Sequence, residues 1–160
     1  MWIELSNFWI ILLNIIAIPA AHLALAWSAT ILPLSLFSRT ENESISDFEI
    51  HLHHHFFLTR KWKFLLPDGA PWLGGFAKGK LIETSPDYLH RFIAETRRGE
   101  LSHWAQFLVI TTFIAWNPWP ANLVIISYAI ISNLPCILNL RYTRARLVRV
   151  THKKYPANYD

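Results

Sequence analysis

Within the ten residues from Glu95 to Trp104 the chain gathers Glu95, Thr96, Arg97, Arg98, Glu100, Ser102 and His103, directly ahead of an apolar run. Ionisable groups at the mouth of an apolar segment are costly there, which points to a use for them. At 3.6 residues per turn Glu100 and His103 are neighbours, and Glu95, Arg98 and Ser102 form an adjoining stripe. A carboxylate beside an imidazole holds its tautomer and raises its basicity, which suits a general base that deprotonates a hydroxyl. His103, Glu100 and Glu95 are therefore the candidate catalytic residues. The bland alternative is a salt-bridged helix entrance in which a carbonyl or headgroup satisfies His103. A second polar group, Asn133 and Pro135 followed by Arg141, Arg144 and Arg146, closes the next apolar run. Arginines there could clamp the phosphate of a lipid or of coenzyme A, or could be an ordinary basic anchor at a membrane face. Arg98 and Arg141 are the candidates for donor phosphate or developing oxyanion.

These residues need helices to carry them, and the apolar runs predict where those lie. From Phe8 to Phe37 there is no Asp, Glu, Lys or Arg, and about 20 apolar residues suffice for a helix to cross the hydrocarbon. Pro19 and Pro33 should kink or end this helix, while Asn14 and His22 should turn toward protein or water. The Ala24-Leu25-Ala26 stretch resembles a signal cleavage site, but the first seven residues hold Glu4 and no Lys or Arg, which favours a permanent helix. Two further runs, 101–116 and 119–140, flank Asn117-Pro118-Trp119-Pro120 and read as a helical hairpin. The stretch 86–100 is helix-compatible and can lead into the first of them, with Ser85 or Asp87 as a cap.

The expected fold is thus an all-α membrane protein forming one domain over 1–160. It has about three transmembrane helices (8–37, 101–116 and 119–140), an interfacial segment over 38–100 and a basic tail from 141 to 160. Of the 15 Lys and Arg, nine lie between Arg39 and Arg98 and six from Arg141 onward. Three spans put both groups on one face, predicted to be cytoplasmic, with the N-terminus outside the cell membrane.

With 52% hydrophobic residues and a formal charge of +4, the basic residues beside apolar runs suit anionic lipid or an anionic acyl donor, and nucleic acid is not expected as a partner. The 38–100 segment opens with Glu41, Glu43, Asp47 and Glu49 and continues through His51, His53, His54 and His55. Adjacent histidines do not converge on one helix face, so no metal site is expected, and the single Glu-x-x-His pair has no second copy to build a di-iron centre. Trp62, Phe64, Trp72 and Phe76 alternate with Lys and Gly as interfacial rings do. Cys136 has no partner for a disulfide, and no Walker loop, nucleophile elbow or dinucleotide fingerprint occurs.

The motifs Arg60-Lys61-Trp62-Lys63 with Asp68-Gly69, Glu95-Thr96 through His103-Trp104, and Asn133, Pro135, Arg141-Tyr142, Arg144 and Arg146-Leu147 occur in order over roughly ninety residues. In this the chain resembles the glycosyl-4,4'-diaponeurosporenoate acyltransferase family. The resemblance implies a small membrane protein that attaches a fatty acyl group to the sugar of a glycosylated carotenoid acid. It uses an acyl donor such as acyl-CoA as co-substrate and needs no other cofactor. Arg98, Arg141, Arg144, Trp62, Lys63 and Asn133 are the motif residues expected to hold substrate. Thr143 and Ala145 depart from the Arg-Tyr-Asn-Arg-Pro-Arg pattern. The competing expectation is a non-catalytic small subunit packed against a larger membrane complex, because three thin helices enclose little volume for two long lipids.

Overall fold

The computed structural model describes residues 2–38 and 47–156. Arg39 and the acidic pair Glu41 and Glu43 lie outside the described residues, as do residues 157–160 and the side chain of Asp47. Among the described residues the chain is all helical, with no strand.

The first helix, α1 (Asn7–Ile31), carries Pro19 inside it and stops ahead of Pro33, after which Leu34–Leu36 makes a 3₁₀ turn. Only Ile10 and Ala29 of this helix are buried, and Phe8, Trp9, Ile15, Ile16, Leu23 and Trp27 stand exposed. A long helix that is apolar all round and hides so little of itself in protein suits lipid. Short pieces follow. They are α2 (Asp47–His51), running on as a π-helical turn through Phe56, and then α3 (Thr59–Trp62), entered by Leu58 at φ 50°. A 3₁₀ turn over Ala70–Leu73 closes at Gly74, whose φ of 74° favours glycine.

The long helix α4 (Pro86–Thr111) starts after Ser85 with Pro86 in the first turn, joining both stretches that the sequence suggested. Ser85 occupies the cap position, but its hydroxyl bonds Glu83 and not the helix backbone. The chain then passes through a 3₁₀ turn (Thr112–Ala115) and Asn117–Pro120 into α5 (Ala121–Lys154). The stretch from Arg141, expected as a basic tail, instead continues α5 unbroken to Lys154, because Leu147 and Val148 pack with Leu89, Phe92 and Ile93 of α4.

The hairpin of α4 and α5 is the centre of the fold, and α1 lies against α4. One core cluster, Leu89, Phe92, Ile93, Leu147 and Val148, sits at the basic end, and Phe76 packs on it. A second, Ile110, Phe113, Ile125 and Ala129, sits at the turn end. Phe76 is thus a core ring, whereas Phe64 and Trp72 are exposed as expected of interfacial rings. Gly99 permits the close approach of the hairpin helices, since a Cβ there would meet Leu140 Cδ1 at 3.2 Å. Both α1 and α5 are long and apolar enough to cross a membrane, which suggests membrane association.

Candidate functional site

Because α4 faces α1 on one side and α5 on the other, its polar residues divide between two seams. Near the basic end, buried Glu95 accepts both Nη2 contacts of Arg98, at 2.7 and 2.8 Å, with Lys78 Nζ 3.9 Å away. Arg98 also donates Nη1 to the carbonyls of Thr30 and Leu32, at 3.1 and 3.3 Å. These carbonyls end α1, so Arg98 acts as a side-chain cap on that helix. Arg97 reaches the Phe37 carbonyl at 2.6 Å. Burial pushes the Lys78 ammonium down from its ordinary value, with Glu95 and Asp68 opposing and Arg98 adding to the effect. Asp68 in turn accepts the backbone N–H of Lys78 and Gly79, at 2.5 and 2.7 Å, and fixes this loop under α4.

Glu100 points to the other seam. Arg141 Nε lies 2.6 Å from its Oε1 and Arg144 Nη1 lies 2.7 Å from its Oε2. Burial alone would raise the Glu100 carboxyl, but the two arginine hydrogen bonds outweigh it and hold the group below the usual carboxylate value. Arg144 is 13% exposed and Arg141 45%, so one partner is inside and the other at the surface.

One turn along from Glu100, His103 Nδ1 lies 3.1 Å from Asn133 Oδ1. Asn133 is fully buried, and its Nδ2 donates to the Ala129 carbonyl and to Ser132 Oγ, both at 3.0 Å. A carbonyl only accepts, so the Asn133 amide is oriented with Oδ1 toward the imidazole. In the neutral imidazole, His103 Nδ1 then carries the proton and Nε2 the lone pair. Among the described residues that Nε2 has no hydrogen-bond partner.

Deeper between the helices, His22 Nδ1 lies 2.8 Å from Gln106 Oε1, His22 Nε2 lies 3.1 Å from Tyr128 OH, and Gln106 Nε2 donates to Ser102 Oγ at 3.1 Å. At the turn end Asn14 Nδ2 donates to Asn117 Oδ1 at 2.7 Å, and Trp116 Nε1 donates to Asn14 Oδ1 at 3.1 Å. His22 and Asn14 therefore face protein, as their place in an apolar helix requires.

The structure brings His103 and Asn133 together but does not join His103 to either glutamate: Glu95 is held by Arg98 and Glu100 by Arg141 and Arg144. The orienting group expected from Glu100 comes from α5 instead. Helical spacing gives neighbours along one helix and cannot see a partner helix that competes for the same carboxylate. Trp62 and Lys63 lie elsewhere. Trp62 Nε1 donates to the Phe57 carbonyl at 2.7 Å, and Lys63 Nζ stands 5.7 Å from the Tyr142 ring centre. Gln106, Tyr128 and Lys78 were not anticipated. For the first two, the signal was the need of His22 for partners at its own depth.

Among the described residues, an all-helical chain with two membrane-length apolar helices and paired ions at one end of its central hairpin suggests the class of small, membrane-associated helical proteins. Within that class, the model of the family described as glycosyl-4,4'-diaponeurosporenoate acyltransferase matches residues 44–153, and the chain belongs to this family. Proteins named glycosyl-4,4'-diaponeurosporenoate acyltransferase from Staphylococcus aureus strains USA300, NCTC 8325 / PS 47 and bovine RF122 / ET3-1 are each 33% identical to it over 107 residues. The match covers 65% of this chain, and the chain spans 64% of the length of these relatives. No solved structure matches.

Proposed function

We propose that this chain is a membrane O-acyltransferase that moves a fatty acyl group from an activated donor, such as acyl-CoA, to a sugar hydroxyl of a glycosylated carotenoid acid or similar glycolipid. The names of its relatives supply the reaction class, and one observation carries the mechanism: His103 presents an unpartnered Nε2 while buried Asn133 holds its other nitrogen. In this reading Nε2 takes the proton of the sugar hydroxyl as its oxygen bonds to the acyl carbon. The carbon–sulfur bond of the thioester then breaks, and the thiolate leaves with the proton carried by His103. Arg141 spends only Nε on Glu100, and its terminal nitrogens, which have no partner among the described residues, can meet the developing oxyanion or donor phosphate. Arg98 has both terminal nitrogens engaged and serves as a positioning residue, with Glu95.

The 101–116 stretch completes a three-span domain in this reading, with the basic ends of α4 and α5 on the cytoplasmic face of the cell membrane. Two open apolar grooves on α5 support access from the bilayer. One is lined by Leu123, Val124, Ser127, Tyr128 and Ile131, and the other by Trp62, Ile130, Leu134, Pro135 and Leu138.

Those same open grooves favour a second reading, in which the chain is a non-catalytic subunit whose apolar faces meet the helices of a larger membrane complex. Purified full-length chain incubated with acyl-CoA and a glycosylated carotenoid acid should form the ester. Absence of ester with every acyl donor tried, together with co-migration of stoichiometric partners after gentle detergent extraction, would establish the subunit instead.

A further inference from the structure

The ion pairs of the hairpin leave out several cations, three of which concern one place in the fold. Glu95 engages Arg98 with Lys78 beside it, and Glu100 engages Arg141 and Arg144. Arg60, Lys63 and Arg146 make no ion pair with a carboxylate among the described residues, nor does any of them hold a further partner. Two of them meet at one side chain, and Arg60 precedes Lys63 by one helical turn. Lys63 Nζ lies 5.7 Å and Arg146 Cζ 5.8 Å from the centre of one ring, that of Tyr142. Tyr142, on α5, is 1% exposed and lies against the π-helical turn, with His53 packed on it and His54 Nε2 3.3 Å from its hydroxyl.

Cations attracted to one buried ring are held in place at modest cost in side-chain freedom. Burial, followed by Arg146 and Arg60, lowers the Lys63 ammonium from its ordinary value, and no carboxylate among the described residues opposes them. Glu49 acts on neighbouring His53 but forms no ion pair with these residues. Two cations held on one ring, with Arg60 a turn away and no ion pair to a carboxylate among the described residues, are what a multiply charged anion binds. Its level in the membrane is set by the half-buried Trp62 and exposed Phe64 on either side of Lys63, rings that settle among headgroups.

We propose that Lys63 and Arg146, held at the Tyr142 ring, together with Arg60 one helical turn before Lys63, bind the phosphate of the acyl donor. This rests on the acyl-transfer reading for the ligand's role, but not for its chemistry. A phosphate ester reaches this level either on a soluble nucleotide thioester or as the headgroup of an anionic phospholipid.

The test uses the full chain in an uncharged detergent, with coenzyme A and phosphatidylglycerol in mixed micelles as separate probes. Binding is followed by calorimetry on wild type and on Lys63→Met, Arg146→Met and Arg60→Met, with Lys80→Met as an equal charge change at an exposed position away from Tyr142. Arg60 is exposed, so its variant keeps the test valid should a change at half-buried Lys63 disturb folding. Each of the three is expected to weaken one probe by about tenfold or more, as loss of a charge-assisted contact does, and Lys80→Met by less than about twofold. Response to coenzyme A identifies a soluble donor, and response to phosphatidylglycerol a lipid one. Equal weakening by Lys80→Met, or no binding of either probe, overturns the site. If the three variants lose binding but wild type forms no ester, the phosphate site stands and the acyl-transfer reading fails.

Discussion

Arg144 Nη1 meets Glu100 Oε2 at 2.7 Å, pinning the basic half of α5 to the middle of α4 across 44 residues of sequence. Both side chains are nearly enclosed, whereas Arg141, on the other oxygen, is 45% exposed. Removing an inside partner strands a buried charge; removing a surface partner leaves water to replace it. Arg144→Met is expected to lower stability in detergent by about 3 kcal/mol. Arg141→Met should cost about 1 kcal/mol or less. Chemical denaturation of the two variants side by side checks this, and equal losses would remove the distinction.

His53 gives the fold a dependence on pH. It is 3% exposed, with Nδ1 3.1 Å from Thr59 Oγ1, and burial lowers its affinity for a proton, with Glu49 opposing and Arg141 and His54 adding to the effect. A histidine kept neutral in the fold but protonated when unfolded makes unfolding take up a proton. Its contribution is therefore present above its ordinary value of 6.5 and is lost as pH falls below that toward the lowered folded value. Thermal midpoints measured from pH 7.5 to 5.5 should fall for wild type and fall less for His53→Gln.

In the acyl-transfer reading, His103→Ala should reduce the turnover of purified protein by roughly 10²- to 10⁴-fold, the range of a positioned general base. Asn133→Ala leaves the base but frees its ring, so turnover should fall by about 10- to 100-fold with little change in apparent donor affinity. Helical content measured on the same samples separates chemistry from unfolding. A fully active His103→Ala would leave the reaction without its base.

How far the sequence reached differs between elements for physical reasons. The apolar run of α1, the hairpin turn and the fusion of 86–100 with the next run were legible because they rest on local composition and proline placement. The helical course of Arg141 to Lys154 was not, since a basic stretch reads as a solvated tail until Glu100 and the Leu89 cluster provide a surface for it. The site was legible in its members more than in its pairs. Asn133, expected to hold substrate, lies against His103, while Glu100 and Glu95, either of which was expected to orient that imidazole, are each bound by arginine. Such pairings depend on the rotation of one helix against another, which Gly99 and Leu140 help to set by close contact. Periodicity within a helix carries no record of it.

Topology can be tested at the hairpin turn. Asn117 is 1% exposed and bonded to Asn14, so a reporter belongs at Trp119, which is 72% exposed. With Cys136 replaced by Ala, cysteines at Trp119 and at exposed Lys153 should react with an impermeant thiol reagent from opposite faces of sealed vesicles. Labelling of both from one face would remove the three-span arrangement.

Arg98 separates a structural clamp from a donor ligand. Its Nη1 closes the last carbonyls of α1 through Thr30 and Leu32, and its Nη2 contacts both oxygens of Glu95. Lysine keeps the charge but carries it as one compact ammonium, which cannot span the carbonyl pair and the carboxylate together. Arg98→Lys should therefore release the end of α1 while Glu95 retains Lys78 nearby as a partial counter-ion. The expected result is a stability loss of about 1–3 kcal/mol, the cost of leaving buried hydrogen-bonding groups unmade. Donor affinity should stay near wild type in the fraction that remains folded. Weakened donor binding at unchanged stability would instead place Arg98 against the substrate, with its present partners given up when the donor arrives.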